Sequence, residues 1–197
     1  GKDNTFEVLE EDLVGATQLG FSCDTDDLDD CKIFIVTVPT PIDDVNRPDL
    51  TPIIKASETV AKSLKVGDIV IYESTVHPGA TDNICIPLLE KISKISCHYD
   101  GCKKKNTFSC GYSPERINPG DKKRTLKKIK KLVSGSSIRA LSQVKKIYDN
   151  IGIDTFVTKS IKVAEAAKII ENTQRDLNIA LINELAIIFE KMNLNTY

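Results

Sequence analysis

The run Lys32-Ile-Phe-Ile-Val-Thr-Val-Pro39 decides how this chain folds. It is apolar and β-branched, without the alternation of a strand that has one wet face. Such a run suits a strand covered on both faces, as in a parallel sheet flanked by helices. It stops at Pro39-Thr40-Pro41, where two prolines deny further ladder bonds. Gly67-Asp-Ile-Val-Ile-Tyr-Glu-Ser-Thr75 repeats the pattern, Asn106–Tyr112 reads as a third strand and Asp154–Thr158 as a last short one. Helical spacing lies between them. Leu50–Leu64 carries Pro52 in its first turn. Thr81–Ile92 is expected to kink at Pro87. Ala140–Ile151 is a further helix. Upstream, Phe6–Val14 has helical spacing, Phe21–Thr25 reads as a short strand and Asp24–Asp30 as an acidic turn or short helix. Ser96–Lys105 reads as an exposed polar loop. Strand and helix alternate, so the fold class is α/β, with a doubly wound parallel sheet.

The same argument reaches the C-terminal end through one long helix, Ile161–Met192. Val163, Ala166, Ala167, Ile170, Leu177, Ala180, Leu181, Leu185, Ile188 and Met192 recur at three- and four-residue steps. Ser160 is the expected N-cap. At 1.5 Å per residue the helix runs roughly 45–50 Å, longer than a small domain is wide. Its apolar stripe therefore calls for more than one packing partner. Lys168 and Asn172 stand one turn apart on it. A cation and an amide projecting together suit a developing oxyanion. On spacing alone Lys168 reads instead as a solvated charge beside Glu165 and Glu171.

Composition excludes several classes. The 197 residues carry a formal net charge of −1, which gives nucleic-acid binding no support at the level of the chain. The basic run Lys122–Lys131 reads as the wet face of a helix. No apolar run is long enough to span a bilayer, and no signal peptide is read at the start, so no membrane partner is expected. The six cysteines form no Cys-x-x-Cys pair and read as reduced and cytoplasmic. Cys97, His98, Cys102 and Cys110 match no common zinc spacing, and no metal is assigned.

In a parallel α/β sheet, ligands sit at the carboxyl ends of the strands. Val38-Pro-Thr-Pro41, Glu73-Ser-Thr-Val76 and Tyr112-Ser-Pro-Glu-Arg116 follow the first three strands. Taken singly, each has a bland reading: a strand stop, a turn cap, a solvated ion pair. Taken together, hydroxyls, turns that present amides and one carboxylate describe a cleft for a nucleotide and a substrate.

Four motifs carry a family resemblance. They are Ile35-Val-Thr-Val-Pro-Thr-Pro41, Glu73-Ser-Thr-Val-His-Pro-Gly-Ala-Thr81, Gly111-Tyr-Ser-Pro-Glu-Arg-Ile-Asn-Pro-Gly120 and Lys168-x-x-x-Asn172. In this order and spacing the chain resembles the UDP-glucose/GDP-mannose dehydrogenases, which are nucleotide-sugar 6-dehydrogenases. Ser113-Pro-Glu-Arg-Ile-Asn-Pro-Gly120 and Asn46-Arg-Pro-Asp-Leu50 are similar to the branch acting on UDP-N-acetylhexosamines. The resemblance implies oxidation of a sugar C6 alcohol to a carboxylate with two NAD⁺. It implies a thiohemiacetal and then a thioester on an active cysteine, in the service of polysaccharide precursor synthesis. UDP-glucose or GDP-mannose as substrate, or an inactive dimerisation module, are the alternatives.

The resemblance also implies residue roles. Val38, Pro39 and Thr40 would contact the NAD ribose and pyrophosphate. Ser74 and Thr75 would lie on the nicotinamide side, with Thr75 ordering the hydrolytic water. Glu115 would act as a general base in thioester hydrolysis. Lys168 and Asn172 would stabilise the oxyanion, and Arg116 would join Glu115, Lys168 and Asn172 against the substrate. The long helix would form a homodimer core.

The expected parts are incomplete. No Gly-x-Gly-x-x-Gly turn is present. Residues 1–158 are therefore read as a Rossmann-type NAD-binding domain lacking its first βαβ, and 159–197 as the central helix of the dimerisation domain. The UDP-binding domain and the active cysteine are expected outside this chain. The piece alone is expected to be inactive.

Overall fold

The computed structural model describes residues 8, 10–115 and 129–195. Its elements run α1 (Glu10–Gly15), a 3-10 turn at Thr25–Leu28, β1 (Ile33–Val36), α2 (Thr51–Ser63) and β2 (Ile69–Tyr72). A π-turn, Thr81–Cys85, leads directly into α3 (Ile86–Ser93). Then follow β3 (Ser96–Cys97), β4 (Thr107–Tyr112), β5 (Lys131–Gly135), α4 (Ile138–Asn150), β6 (Thr155–Val157) and α5 (Ile161–Lys191).

The sheet has the order β1-β2-β4-β5-β6, with β3 paired to the start of β4. Every pairing is parallel except β4 with β5. The expected all-parallel sheet is thus mixed, a common variant among doubly wound sheets. Two cores flank it. Phe34, Val36, Val70, Tyr72, Phe108, Cys110 and Tyr112 pack under α2, α3 and the first turn of α5. Ile69, Ile71 and Val133 pack under Val144 and Tyr148 of α4.

Further expectations from sequence need correction. β2 and β4 are buried throughout, but β1 is not. Phe34 and Val36 are buried while Ile33 and Ile35 are 50% and 45% exposed. Ile33 and Ile35 align with Ile69 and Ile71, on the face that α4 covers. α4 packs over β2, β4, β5 and β6, and β1 is the sheet edge beyond it. Phe21–Thr25 forms no strand; Phe21 is 74% exposed and the acidic residues after it make the 3-10 turn, capped by the Asp24 side chain. Within Ser96–Lys105, the exposed loop contains β3, whose Cys97 is buried against β4.

The basic run Lys122–Lys131 falls largely outside the described residues. Its last residue, Lys131, is no wet helical charge. It opens β5 and is 2% exposed.

Pro87 acts where expected and in a specific way. It occupies the first turn of α3, and the π-turn precedes it. A proline cannot donate to the carbonyl one turn back and its ring crowds that carbonyl. Widening the preceding turn to i→i+5 bonding accommodates both, and the Ile86 N–H indeed reaches the Thr81 carbonyl. α5 begins as read: Ser160 is extended and its hydroxyl accepts from the Val163 N–H at 3.3 Å.

Candidate active site

β1, β2 and β4 are adjacent and in parallel register, so the three segments that leave their carboxyl ends share one edge. They enclose a cleft of about 480 Å³, inside the range of small-molecule sites. Val38, Pro39, Thr40, Ser74, Thr75 and Glu115 all line it. Side chains sew the segments together. Ser74 donates to the Val38 carbonyl at 2.6 Å. The Tyr112 hydroxyl donates to the Ser74 carbonyl at 3.1 Å, and burial pushes that phenol's pKa up. The Glu73 N–H continues the ladder to the Val36 carbonyl.

The helix end of the cleft is closed by α5. Ile169 lines it directly. Lys168 is 9% exposed, and its ammonium donates to the backbone carbonyl of Glu115. The reading of Lys168 as a solvated charge is therefore overturned. Its neighbour Glu165 is fully buried as well, with a carboxylate that accepts from the Gly79 N–H at 2.5 Å and the Thr81 N–H at 2.9 Å. Lys168 and Glu165 thus tie α5 to the turns after β4 and β2. Asn172 lies one turn further on, exposed, and does not line the cleft. Arg116 lies outside the described residues.

Two cleft residues stand in segments the sequence pointed to but were given no role. His77 and Glu73 line the cleft. Glu73 is held from behind by Lys131 and Tyr148, which come from β5 and α4. Residues so far apart in the chain leave no local spacing to read.

Residues 4–152 match the UDP-glucose/GDP-mannose dehydrogenase family, NAD binding domain. The chain belongs to that family. Residues 162–197 match the central domain of the same dehydrogenase family. The chain is 55% identical over 197 residues to a UDP-N-acetyl-D-glucosamine 6-dehydrogenase of Pseudomonas aeruginosa, and 51% identical to one of Salmonella typhi. Each alignment takes in all of this chain and 45% of the relative, so the chain spans about half the length of these proteins. Its fold is similar to UDP-D-ManNAc dehydrogenase from Pyrococcus horikoshii, with TM-score 0.81 and 31% identity over 94% of this chain and 42% of that one. A GDP-mannose dehydrogenase from Pseudomonas aeruginosa shares the fold at TM-score 0.75 and 21% identity, over 87% of this chain and 38% of that one.

One feature of this dehydrogenase-family cleft bears on NAD directly. The Thr40 Oγ1 is buried and has no hydrogen-bond partner among the described residues. A buried hydroxyl without a partner marks a place where a polar ligand completes the bonding. Two prolines flank it and fix the backbone that presents it. The residues present therefore fit one wall of a dinucleotide site.

Proposed function

We propose that this chain supplies the cofactor wall and part of the catalytic machinery of an NAD-dependent UDP-N-acetylhexosamine 6-dehydrogenase about twice its length. The enzyme would convert the sugar C6 alcohol to the uronic acid. The single observation that carries the reading is the convergence of Thr40, Thr75 and Glu115 on one cleft, with the buried Lys168 ammonium bound to the Glu115 backbone carbonyl behind it. A module that only binds or dimerises has no use for a carboxylate and two hydroxyls on one concave surface with a buried lysine against the carboxylate's own backbone.

The roles are those that the family resemblance implies. Val38, Pro39 and Thr40 would bind NAD, with the Thr40 hydroxyl bonding a ribose hydroxyl or donating to a phosphate oxygen. Ser74 and Thr75 face the nicotinamide side, and Thr75 orients the water used in the second half of the reaction. NAD⁺ held there would supply the hydride acceptor. Glu115 accepts the proton of that water. Lys168 would offer positive charge where an oxyanion develops; the resemblance gives Asn172 the same task, but its exposed position outside the cleft lends that no support. Arg116 lies beside Glu115 in sequence and completes the substrate contacts. The two oxidation levels would be joined through a covalent intermediate on a cysteine outside this chain.

The domain division falls at 158/159, in the turn before α5. The distal half of that helix carries a homodimer contact. The protein works in the cytoplasm, a setting compatible with six unpaired cysteines. No helix among the described residues is long and apolar enough to cross a membrane.

The test is to express the full-length protein and follow NADH formation with UDP-GlcNAc, UDP-GalNAc, UDP-glucose and GDP-mannose. Turnover with the first two and little with the last two is the expected result. No turnover with any nucleotide sugar removes the assignment. Lys168→Ala at undiminished kcat removes that residue's role alone.

A further inference from the structure

The cleft has a second buried lysine behind it. Lys131 is 2% exposed, and its ammonium meets the Glu73 carboxylate at 3.0 Å. The same ammonium donates to the Pro114 carbonyl at 3.4 Å and stands 5.2 Å from the centroid of the Tyr148 ring. The Tyr148 hydroxyl donates to the other Glu73 oxygen. Both carboxylate oxygens are engaged, and the ammonium is held by an anion, a carbonyl and an aromatic face. Four elements meet there: the ends of β2 and β4, the start of β5, and α4.

A buried ion pair is a poor stabiliser. Removing two charges from water costs several kcal/mol each, and an apolar pair of equal volume serves stability as well or better. What such a pair does well is fix geometry, because neither partner can leave without stranding the other. Here the object fixed is a carbonyl. Pro114 and Glu115 are consecutive, and a buried lysine grips each: Lys131 the Pro114 carbonyl, Lys168 the Glu115 carbonyl. One grip comes from β5 and the other from α5. The two carbonyls belong to the peptide units on either side of the Glu115 Cα, so the two contacts together restrain the backbone from which its side chain leaves.

We propose that Lys131, held by Glu73 and Tyr148, is a positioning residue that works with Lys168 to orient Glu115 toward the cleft. The inference rests on the reading that Glu115 acts as a base in the dehydrogenase. Lys131 does not line the cleft. Its effect is transmitted through the Pro114–Glu115 peptide.

The test uses the full-length enzyme. Lys131→Met removes the grip but strands the Glu73 carboxylate. The double variant Lys131→Met/Glu73→Gln removes both charges and keeps the volume, so it separates lost positioning from a stranded ion. Both are expected to lower kcat about 10²-fold, the scale of a misplaced catalytic group, with KM for NAD⁺ and for the UDP-sugar held within about threefold. Should the single variant fail to fold, the double variant decides. A double variant with wild-type kcat overturns the inference, and so does one whose loss lies wholly in KM or which cannot fold at all, since either makes the pair structural.

Glu115→Gln separates this from the reading beneath it. Glu115→Gln at full activity removes the base role itself. Glu115→Gln inactive beside a fully active double variant removes only the role of Lys131. Where both lose activity, adding the double variant to Glu115→Gln should lower the residual rate no further, because groups acting through one another are not additive. A further loss comparable to that in the native background counts against positioning through Glu115.

Discussion

At 2.5 and 2.9 Å, the Glu165 carboxylate holds the N–H groups of Gly79 and Thr81, two donors that no other group described reaches. Gly79 sits at φ +92, where L side chains are strained, and a Cβ there would meet Asn83 Nδ2 at 2.9 Å and Lys162 Cε at 3.1 Å. The turn after β2 is thus built around a glycine and clamped by a buried anion near the start of the helical segment, where negative charge is favoured. Glu165→Ala strands both amides. At about 1–3 kcal/mol for each unsatisfied buried group, we expect a loss of about 3 kcal/mol, read as a lower urea midpoint at unchanged m-value. An unchanged midpoint removes the clamp.

The thiols give a second prediction at this scale. Burial pushes Cys85 and Cys97 up to about 11 from 9.0, and Cys110 also upward. Since the thiolate is the nucleophile, iodoacetamide at pH 8 should alkylate exposed Cys23 in the folded protein and spare these three. Peptide mass spectrometry reads the pattern. The sign of the linkage follows from the same shift. Below about pH 9 both folded and unfolded thiols are protonated and the stabilisation is intact. Between about 9 and 11 only the unfolded chain gives up the proton, so stability falls as pH rises.

Among the elements, α4 approaches the sheet closely at two glycines. A Cβ on Gly135 would lie 2.4 Å from the Leu141 backbone nitrogen and 2.8 Å from its Cα. A Cβ on Gly111 would lie 2.3 Å from Val144 Cγ2, a side-chain atom. Both substitutions to Ala overpack the joint and should cost about 1–3 kcal/mol. They differ in rescue. Gly111→Ala with Val144→Ala should lose less than the sum of the two, a coupling a double-mutant cycle measures. Gly135→Ala with Leu141→Ala should show none, because the clash is with backbone. Equal coupling in the two cycles removes this account of the packing.

The same joint explains what sequence could show. β2 was legible because Ile69–Tyr72 is buried on both faces, and burial on both faces demands an uninterrupted apolar run. β5 was not, because it opens on a lysine that ends a basic run and holds only Leu132 and Val133 as apolar residues. Its antiparallel pairing and its ion pair are tertiary facts. The cleft divides likewise. Thr75 and Glu115 stand in strand-end motifs that local spacing exposes. Lys131, Tyr148 and Glu165 act across the fold, and Lys168 looked solvated because a helical face shows which residues are neighbours without showing what covers them.

For the molecule as a whole, α5 is the unbalanced part. Ile161, Ala164, Glu165 and Lys168 are buried. Beyond them Leu177, Leu181, Ile182 and Ile188 are 63%, 56%, 63% and 47% exposed. A helix this apolar on its outer half, left exposed among the described residues, carries surface that water penalises at about 25 cal/mol per Å². Leu177, Leu181 and Ile188 recur near every fourth position, so one stripe can seat against a copy of itself across a twofold axis. Light scattering coupled to gel filtration should find the chain as a dimer at micromolar concentration. Leu177→Glu/Leu181→Glu should shift it to monomer, because each carboxylate would be buried without a partner. The edge of β1 offers a rival contact, since Ile33 and Ile35 are half exposed there. Ile33→Lys/Ile35→Lys should leave the dimer intact. If those lysines dissolve it and the glutamates on α5 do not, association runs through the sheet edge and the helix is not the interface.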